Sequence, residues 1–326
     1  MRSRKIRKMS TDPLVFVIAL NYNSFQDTKQ CVDCLRQSDY TNYKLLVIDN
    51  ASPDLSGEKL SRLLPPHEFL SLASNTGYAG GNNIGIELAL RKKAKYVLIL
   101  NPDVRIASNG IREYVKVMEE HSDIGILSPI QLKSFDGLVD EKFGESILKR
   151  HGYDIDALKQ PNAVLKVTRV LGAIMMVRAH TFKMVGGFDP LFFAYGEEED
   201  FCRRTLARGW RIAVTSAAPA VHLRTKEKYV VADQIIFLRT KGNYLLALKN
   251  PNVNFLILVF GVLGRALVDL IVMKKNRYPF SYYSVTRSHI LRCMWWIVMH
   301  IPMIFLHRRK EFTEAAHIHL QQSTKK

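Results

Sequence analysis

Between Leu14 and Ile130 the sequence alternates between short apolar runs and longer amphipathic stretches. Leu14–Leu20, Tyr43–Ile48, Phe69–Leu72, Tyr96–Leu100 and Gly125–Ile130 are short and apolar, the pattern of buried strands. The stretches between them, at about Asp27–Gln37, Leu55–Leu64, Asn82–Lys92 and Asn109–His121, carry helical periodicity. Strand and helix in strict alternation imply an α/β fold: a mostly parallel central sheet with helices on both faces. Lys133–Asn162 is polar and aperiodic and reads as a long loop. Order is expected again at Thr168–Val177 (strand), Gly186–Pro190 (turn), Glu198–Arg208 (helix) and Arg211–Thr215 (strand).

Open α/β sheets bind ligands in the crevice at the carboxyl ends of their strands, so residues just past each apolar run matter most. Asn101-Pro102-Asp103 follows the run Tyr96–Leu100, and the proline disfavours helix at the residue before it. A carboxylate there, Asp103, could hold a divalent cation bridging a diphosphate, since Mg2+ and Mn2+ take oxygen ligands. His222, behind the Arg211–Thr215 strand, is a candidate nitrogen ligand for Mn2+. Asp49 ends the second strand, where a carboxylate can accept from a ribose or a base N–H. Asn75–Gly85 is rich in Gly and Asn ahead of a helix, which permits close backbone approach to an anionic ligand. It is neither the dinucleotide fingerprint G-x-G-x-x-G nor the phosphate loop ending in Gly-Lys-Ser/Thr. Dehydrogenases and the common kinases and ATPases are thereby disfavoured. Glu197-Glu198-Glu199-Asp200 opens a helix; the helix dipole favours acids there, and crowded anions raise one another's pKa, as suits a general base.

As a set these stretches resemble the inverting family 2 glycosyltransferases of the GT-A fold, in the rhamnosyltransferase-like branch that builds bacterial surface polysaccharides. The resemblance runs from about Val15 to Thr225. It rests on Asn21–Ser24, Val47–Ser52, Asn75–Asn83, Leu100–Asp103 and Gly186–Phe193, then on the acid run through Cys202-Arg203, with Gly209-Trp210 and His222 behind. It implies a Rossmann-like sheet and a nucleoside-diphosphate-sugar donor, either dTDP-L-rhamnose or a UDP-sugar. It places Asn21, Asn23, Asp49, Asn75, Gly80, Gly81, Asn82, Asn101 and Asp103 at the donor, with Asp49 on a pyrimidine base. Asp103 and His222 would hold Mg2+ or Mn2+, and Glu198 would be the catalytic base. Asn101 stands where the family's Asp-x-Asp element has its first Asp, leaving one fewer charge for the cation. The run of acids leaves Glu197 and Glu199 open as alternative bases. The expected acceptor is a lipid-linked saccharide. The chain lacks the Gln-x-x-Arg-Trp motif, which argues against a processive synthase.

Charge divides the chain further. Of the formal net charge of +17, residues 1–10 carry +5 and residues 251–326 carry +8, leaving +4 on the body. Such ends suit an anionic membrane surface; nucleic acid is not an expected partner. The expected organisation is a basic segment over 1–12, a GT-A domain over 13–250 and a membrane-associating helical region over 251–326. In that last region Asn254–Met273 is interrupted by Arg265 and Asp269, and Ile290–Leu306 by Arg292 and Pro302. Apolar faces, flanking cations and the tryptophans Trp295 and Trp296 fit amphipathic helices lying in the interface, on the cytoplasmic face, rather than clean spans. The four cysteines, Cys31, Cys34, Cys202 and Cys293, read as packing residues in a reducing compartment. Self-association stays open. Two other classes compete: a nucleotidyltransferase, disfavoured because Asn21–Phe25 lacks a glycine-rich basic loop, and a non-catalytic membrane adaptor, which would need none of the paired acids.

Overall fold

A computed structural model describes residues 12–158, 160, 162–223, 233–272 and 285–313. The basic N-terminal residues 1–11, together with Lys274, Lys275, Arg277, Lys325 and Lys326, lie outside the described residues.

The first half alternates as expected: β1 (Val15–Asn21), α1 (Phe25–Arg36), β2 (Tyr43–Asp49), α2 (Ser56–Leu63), β3 (Phe69–Ser71), α3 (Gly77–Arg91) and β4 (Tyr96–Leu100). β5 (Val104–Ile106), α4 (Gly110–Glu120) and β6 (Ile124–Leu132) follow. Period-2 burial explains the layering. In β1, Val15, Val17 and Ala19 face a core closed by Val32 and Leu35 of α1 and Tyr114 and Met118 of α4. Phe16 and Ile18 face the opposite core with Ile86 and Ala89 of α3.

β1, β2, β3 and β4 pair in parallel in the order β3-β2-β1-β4. The second half mixes directions. Of the stretch read as a strand over Thr168–Val177 only the end is one, in β8 (Ile174–Arg178), which lies antiparallel between β4 and β6; a separate strand, β7 (Val164–Val167), ends just before the stretch begins. Strand direction leaves no mark on an apolar run, because side chains alternate identically either way. β9 (Arg211–His222) extends seven residues past the expected Thr215, pairing first with β6 and β7 and then, beyond an irregularity, with β5.

The stretch expected to be a loop at Lys133–Asn162 carries short helical turns, including α5 (Glu141–Phe143). Asp140 caps them by accepting from the Phe143 N–H at 2.9 Å, and Phe143, Ile147 and Leu148 join the α3-side core. α6 (Ala179–Val185) and α7 (Glu197–Ala207) cover the same face.

Three helices complete the described chain: α8 (Asp233–Leu248), α9 (Phe255–Val272) and α10 (Arg287–Thr313). They share a third core, in which Tyr244, Leu245 and Leu248 of α8 meet Val259 and Ala266 of α9, Ile290, Ile297 and Ile304 of α10, and Leu191 and Phe192 of the body. The boundary expected at residue 250 therefore passes through a packed cluster. Pro302 does not interrupt α10; buried Ile297 and Ile304 hold the helix on both sides of it. By length and composition Arg287–Glu311 is sufficient to cross a membrane, and 28% of its most apolar 18 residues are buried within the fold.

Candidate active site

Asp103 and His222 lie 119 positions apart and meet through strand register. β5 pairs antiparallel with the end of β9, so Val104 faces His222, and the Leu223 N–H donates to the Asp103 carbonyl at 2.9 Å. His222 Nε2 then stands 3.2 Å from Asp103 Oδ2. Its other nitrogen, Nδ1, lies 3.2 Å from Gln131 Oε1, a partner that fixes the ring and aims Nε2 at the carboxylate. Asp103 Oδ1 is buried and has no hydrogen-bond partner. A carboxylate oxygen so placed is short of a positive or donating neighbour. Among the described residues no group of three His, Cys, Asp or Glu forms a closed metal cage.

The turn carrying this pair is braced from beneath. The Asn101 N–H donates to the Ala173 carbonyl at 2.8 Å, and the Val104 N–H to the Asn101 carbonyl at 3.1 Å. Arg105, 5% exposed, donates to the Val104 carbonyl and, through its second Nη, to Gln30 at 2.8 Å. Its first Nη also donates to the Pro102 carbonyl at 2.5 Å. Sequence reasoning passed over Arg105, since an arginine in a strand reads as a solvated charge.

Asp49 and Asn21 form the floor beside β1. Asp49 Oδ1 accepts from Asn21 Nδ2 at 2.7 Å and from the Ser52 hydroxyl at 2.6 Å, while Oδ2 accepts from the Ser52 N–H at 3.1 Å. Asn21 also donates to the Ser56 hydroxyl and accepts from Thr28. Both residues are buried, so their first task is to hold the Asn50–Ser52 turn. Exposed Asn23, at φ 52°, donates its N–H to the Ser52 hydroxyl at 3.0 Å.

The Gly/Asn stretch divides its labour differently from the expectation. The helix starts five residues early, at Gly77, whose φ of +73° turns the chain into α3 where a Cβ would stand 2.3 Å from the Phe193 carbonyl. Asn75 Oδ1 accepts from the Gly77 N–H at 2.8 Å and from Asn50 Nδ2 at 3.0 Å. Gly80 is buried inside the helix. Gly81 was read as room for a ligand, but a Cβ there would meet Leu20 at 2.5 Å; with Gly85 against Ile18 it lets α3 ride close on β1. Asn82 donates to the Tyr78 carbonyl at 2.9 Å, and its Oδ1 is buried without a partner. Asn83, also missed, clamps the Phe188 backbone with both ends of its amide, at 2.8 and 2.9 Å.

The acid run occupies the first turn of α7, and its members diverge. Glu199 pairs with Arg169. Asp200 is buried against Arg204 at 2.8 Å; burial would raise its pKa, but the Lys249 ammonium and the Arg204 guanidinium outweigh it and hold the carboxyl below its ordinary value. Glu197 is 4% exposed with Oε2 unpartnered, and burial, then the charge of Glu198, lifts its carboxyl well above the ordinary range. Glu198 is half-buried and accepts the Gly196 N–H at 3.1 Å. Its Cβ lies 3.7 Å from where a Gly172 Cβ would be, and the Gly172 carbonyl accepts from the Tyr78 hydroxyl at 2.6 Å. Gly172 precedes Ala173, which holds the Asn101 N–H, so the acid helix and the turn carrying Asp103 share one edge of the sheet. Burial pushes Cys31, Cys202 and Cys293 up to about 12, consistent with packing rather than reactivity.

A parallel β3-β2-β1-β4 half-sheet joined to antiparallel strands, with an Asp/His pair at one strand end and an acid helix beside it, defines a GT-A fold. Residues 16–168 match the family Glycosyl transferase family 2, and residues 155–227 the N-terminal domain of galactosyltransferase. The low-salt glycan biosynthesis hexosyltransferase Agl10 of Haloferax volcanii is 30% identical over 221 residues, 67% of this chain and 69% of that protein. The rhamnosyltransferase WbbL of Escherichia coli is 26% identical over 64% of this chain and 83% of its own length. Among solved structures, the mannosyltransferase PcManGT of Pyrobaculum calidifontis, in complex with GDP-Man and Mn2+, superposes with a TM-score of 0.53. It shares 14% identity, covering 94% of this chain and 85% of that one. The chain belongs to glycosyltransferase family 2 and is a glycosyltransferase.

Proposed function

We propose that the enzyme moves a sugar from a nucleoside-diphosphate donor, L-rhamnose from dTDP-rhamnose or a sugar from a UDP donor, to a lipid-linked saccharide in cell-surface polysaccharide synthesis. The observation that carries the reading is the Asp103–His222 pair, 3.2 Å apart, with Asp103 Oδ1 buried and unpartnered. One carboxylate oxygen and one oriented imidazole nitrogen suit Mg2+ or Mn2+ when substrate phosphates supply the remaining ligands. The cation would stabilise the departing diphosphate. Asp49 retains one lone pair on Oδ2 for a base N–H after accepting from Ser52. The names of the relatives, a hexosyltransferase of glycan biosynthesis and a rhamnosyltransferase, support the hexose and the polysaccharide context.

Glu198 is the base of this proposal. Glu199 is engaged by Arg169, Asp200 by Arg204, and Glu197 is buried, which leaves Glu198 half-exposed beside the shared edge. Its carboxylate takes the proton from the acceptor hydroxyl as that oxygen attacks the anomeric carbon and the sugar–phosphate bond breaks. A single in-line displacement inverts the anomeric centre.

Membrane association follows from the outer faces of α9 and α10. Phe260, Ile271, Trp295 and Met299 are all at least 60% exposed, while buried Ile290, Cys293, Ile297 and Ile304 bind α10 along its length to the body. That arrangement favours a peripheral seat at the cytoplasmic face of the membrane over a span. The test of the donor site is Asp103→Ala, measured by calorimetry with dTDP and UDP, with and without Mn2+. Loss of metal-dependent affinity in a folded variant is expected; unchanged Mn2+-dependent affinity overturns the assignment.

A further inference from the structure

Beneath the acid helix lies a cluster of buried charges that the proposed chemistry does not use. Lys249, just past α8, is 1% exposed, and its ammonium meets Asp189, Asp200 and Glu311 at once. Arg204 binds Asp200 at 2.8 Å, lies 3.8 Å from Glu311, and donates to the Val185 and Gly187 carbonyls. His307 reaches Asp189 at 2.8 Å. The elements that converge are the turn after α6, α7, the end of α8, and α10, which supplies Glu311 and His307.

Burying so many charges costs several kcal/mol per ion before pairing, and apolar residues of similar volume often stabilise a fold as well or better. What such a cluster does supply is a defined relative position for the parts it joins. Two of those parts are walls of the candidate site. Asp200 sits one turn after Glu197, so holding it sets the rotation of the turn that carries Glu198. Asp189 accepts the Leu191 N–H at 2.9 Å and fixes the turn ending at Phe193, whose carbonyl receives the Ala79 N–H of α3 at 3.1 Å.

We propose that Lys249 and Glu311 are positioning residues for glycosyl transfer: α10 completes the active site by locking Asp200 and Asp189, and through them Glu198 and the start of α3. The inference rests on the reading of Glu198 as the base. It makes the C-terminal helices part of the catalytic unit as well as a membrane surface.

The test uses the full-length protein and Glu311→Gln, which keeps the shape and removes the charge. Nucleoside diphosphate release is followed with Mn2+ and whichever dTDP-, UDP- or GDP-sugar wild type consumes fastest, well below the melting temperature. The expected result is a kcat lower by roughly 10–100-fold with donor KM within about twofold, the cost of a misplacement of order 1 Å. Glu311→Asp, which restores the charge on a shorter arm, should recover part of the loss. Arg265→Gln, on exposed α9 surface, is the control and should leave both parameters unchanged. Wild-type kcat in folded Glu311→Gln overturns the proposal, as does a fall in kcat matched by an equal rise in KM. Should Glu311→Gln fail to fold, His307→Gln, which removes only an outer contact to Asp189, must show the same split at roughly 3–10-fold or the proposal fails. Glu198→Gln is measured in parallel. Activity retained there defeats the base assignment, whereas inactive Glu198→Gln beside normal Glu311→Gln defeats this inference alone.

Discussion

Replacing Glu197, Glu198 and Glu199 one at a time by Gln separates three carboxyls that neighbour one another in sequence but not in environment. Glu198→Gln keeps an oxygen for the Gly196 N–H, held at 3.1 Å in the wild type, and loses only the capacity to take a proton. General-base catalysis contributes typically 10²–10⁴-fold, so the barrier should rise by roughly 2.7–5.4 kcal/mol at about 1.36 kcal/mol per tenfold. Donor affinity should stay within about twofold, since Asp103 and His222 are untouched. Glu199→Gln breaks a partly exposed pair with Arg169 and should cost roughly 0.2–1 kcal/mol of stability with little change in turnover.

Glu197→Gln is the informative control. Burial, and then the charge of Glu198, raise the Glu197 carboxyl well above its ordinary value, which favours the protonated form that an amide imitates. A carboxyl raised in the folded state contributes stability that is complete below its unfolded pKa and lost as pH climbs through the folded value. Glu197→Gln removes that loss: its melting temperature should match wild type near pH 4.5 and exceed it increasingly toward pH 8. Turnover is measured by nucleoside diphosphate release with saturating donor and Mn2+. Near-normal turnover in Glu198→Gln together with collapse in Glu197→Gln or Glu199→Gln would refute the reasoning.

Gly77→Ala should destabilise the fold by roughly 2–5 kcal/mol in urea denaturation, combining a left-handed backbone penalty with a Cβ at 2.3 Å from the Phe193 carbonyl; a loss under about 1 kcal/mol would show that the Phe193 turn yields easily. Burial pushes Lys241 down to about 8 from 10.5, so the folded state sheds its proton first and wild-type stability should gain between about pH 8 and 10.5 from this group. Lys241→Met should lose that slope in melting curves taken across the window. The paired change Phe260→Ser and Trp295→Ser, at positions 74% and 67% exposed, should abolish co-sedimentation with anionic liposomes at low salt. Binding by wild type that is equal on neutral liposomes and resistant to salt would instead argue for insertion of α10.

Much of the fold was legible because burial writes itself into period and length. β1, β2 and β4 are apolar on both faces, and amphipathic helices separate them. What the sequence concealed are relations rather than residues. β8 carries an ordinary strand pattern, yet its direction is antiparallel. Lys249, Asp189 and Glu311 each look like surface charges, because their partners stand 60 and 62 positions apart. The site was half legible. Asp103 and His222 were chosen from motif and resemblance, and register brings them together; no local pattern could show that Val104 pairs with His222. A glycine announces only that a Cβ is unwelcome, so Gly81 read as space for a ligand where the structure gives that space to Leu20. Asn83 was missed because an asparagine that bridges backbone across 105 positions looks like any turn former.

The pairing of β5 with the last residues of β9 also fixes when the Asp103–His222 pair can form during synthesis. Asp103 leaves the ribosome 119 residues ahead of His222, an interval of ~6–24 s at ~5–20 residues per second. Throughout that interval the parallel strands β1 to β4 are already available to pair, while Asp103 lacks its imidazole neighbour. A nascent chain therefore presents its parallel strands first and closes the Asp103–His222 pair last, so a product truncated before β9 would carry β1 to β8 without that pair.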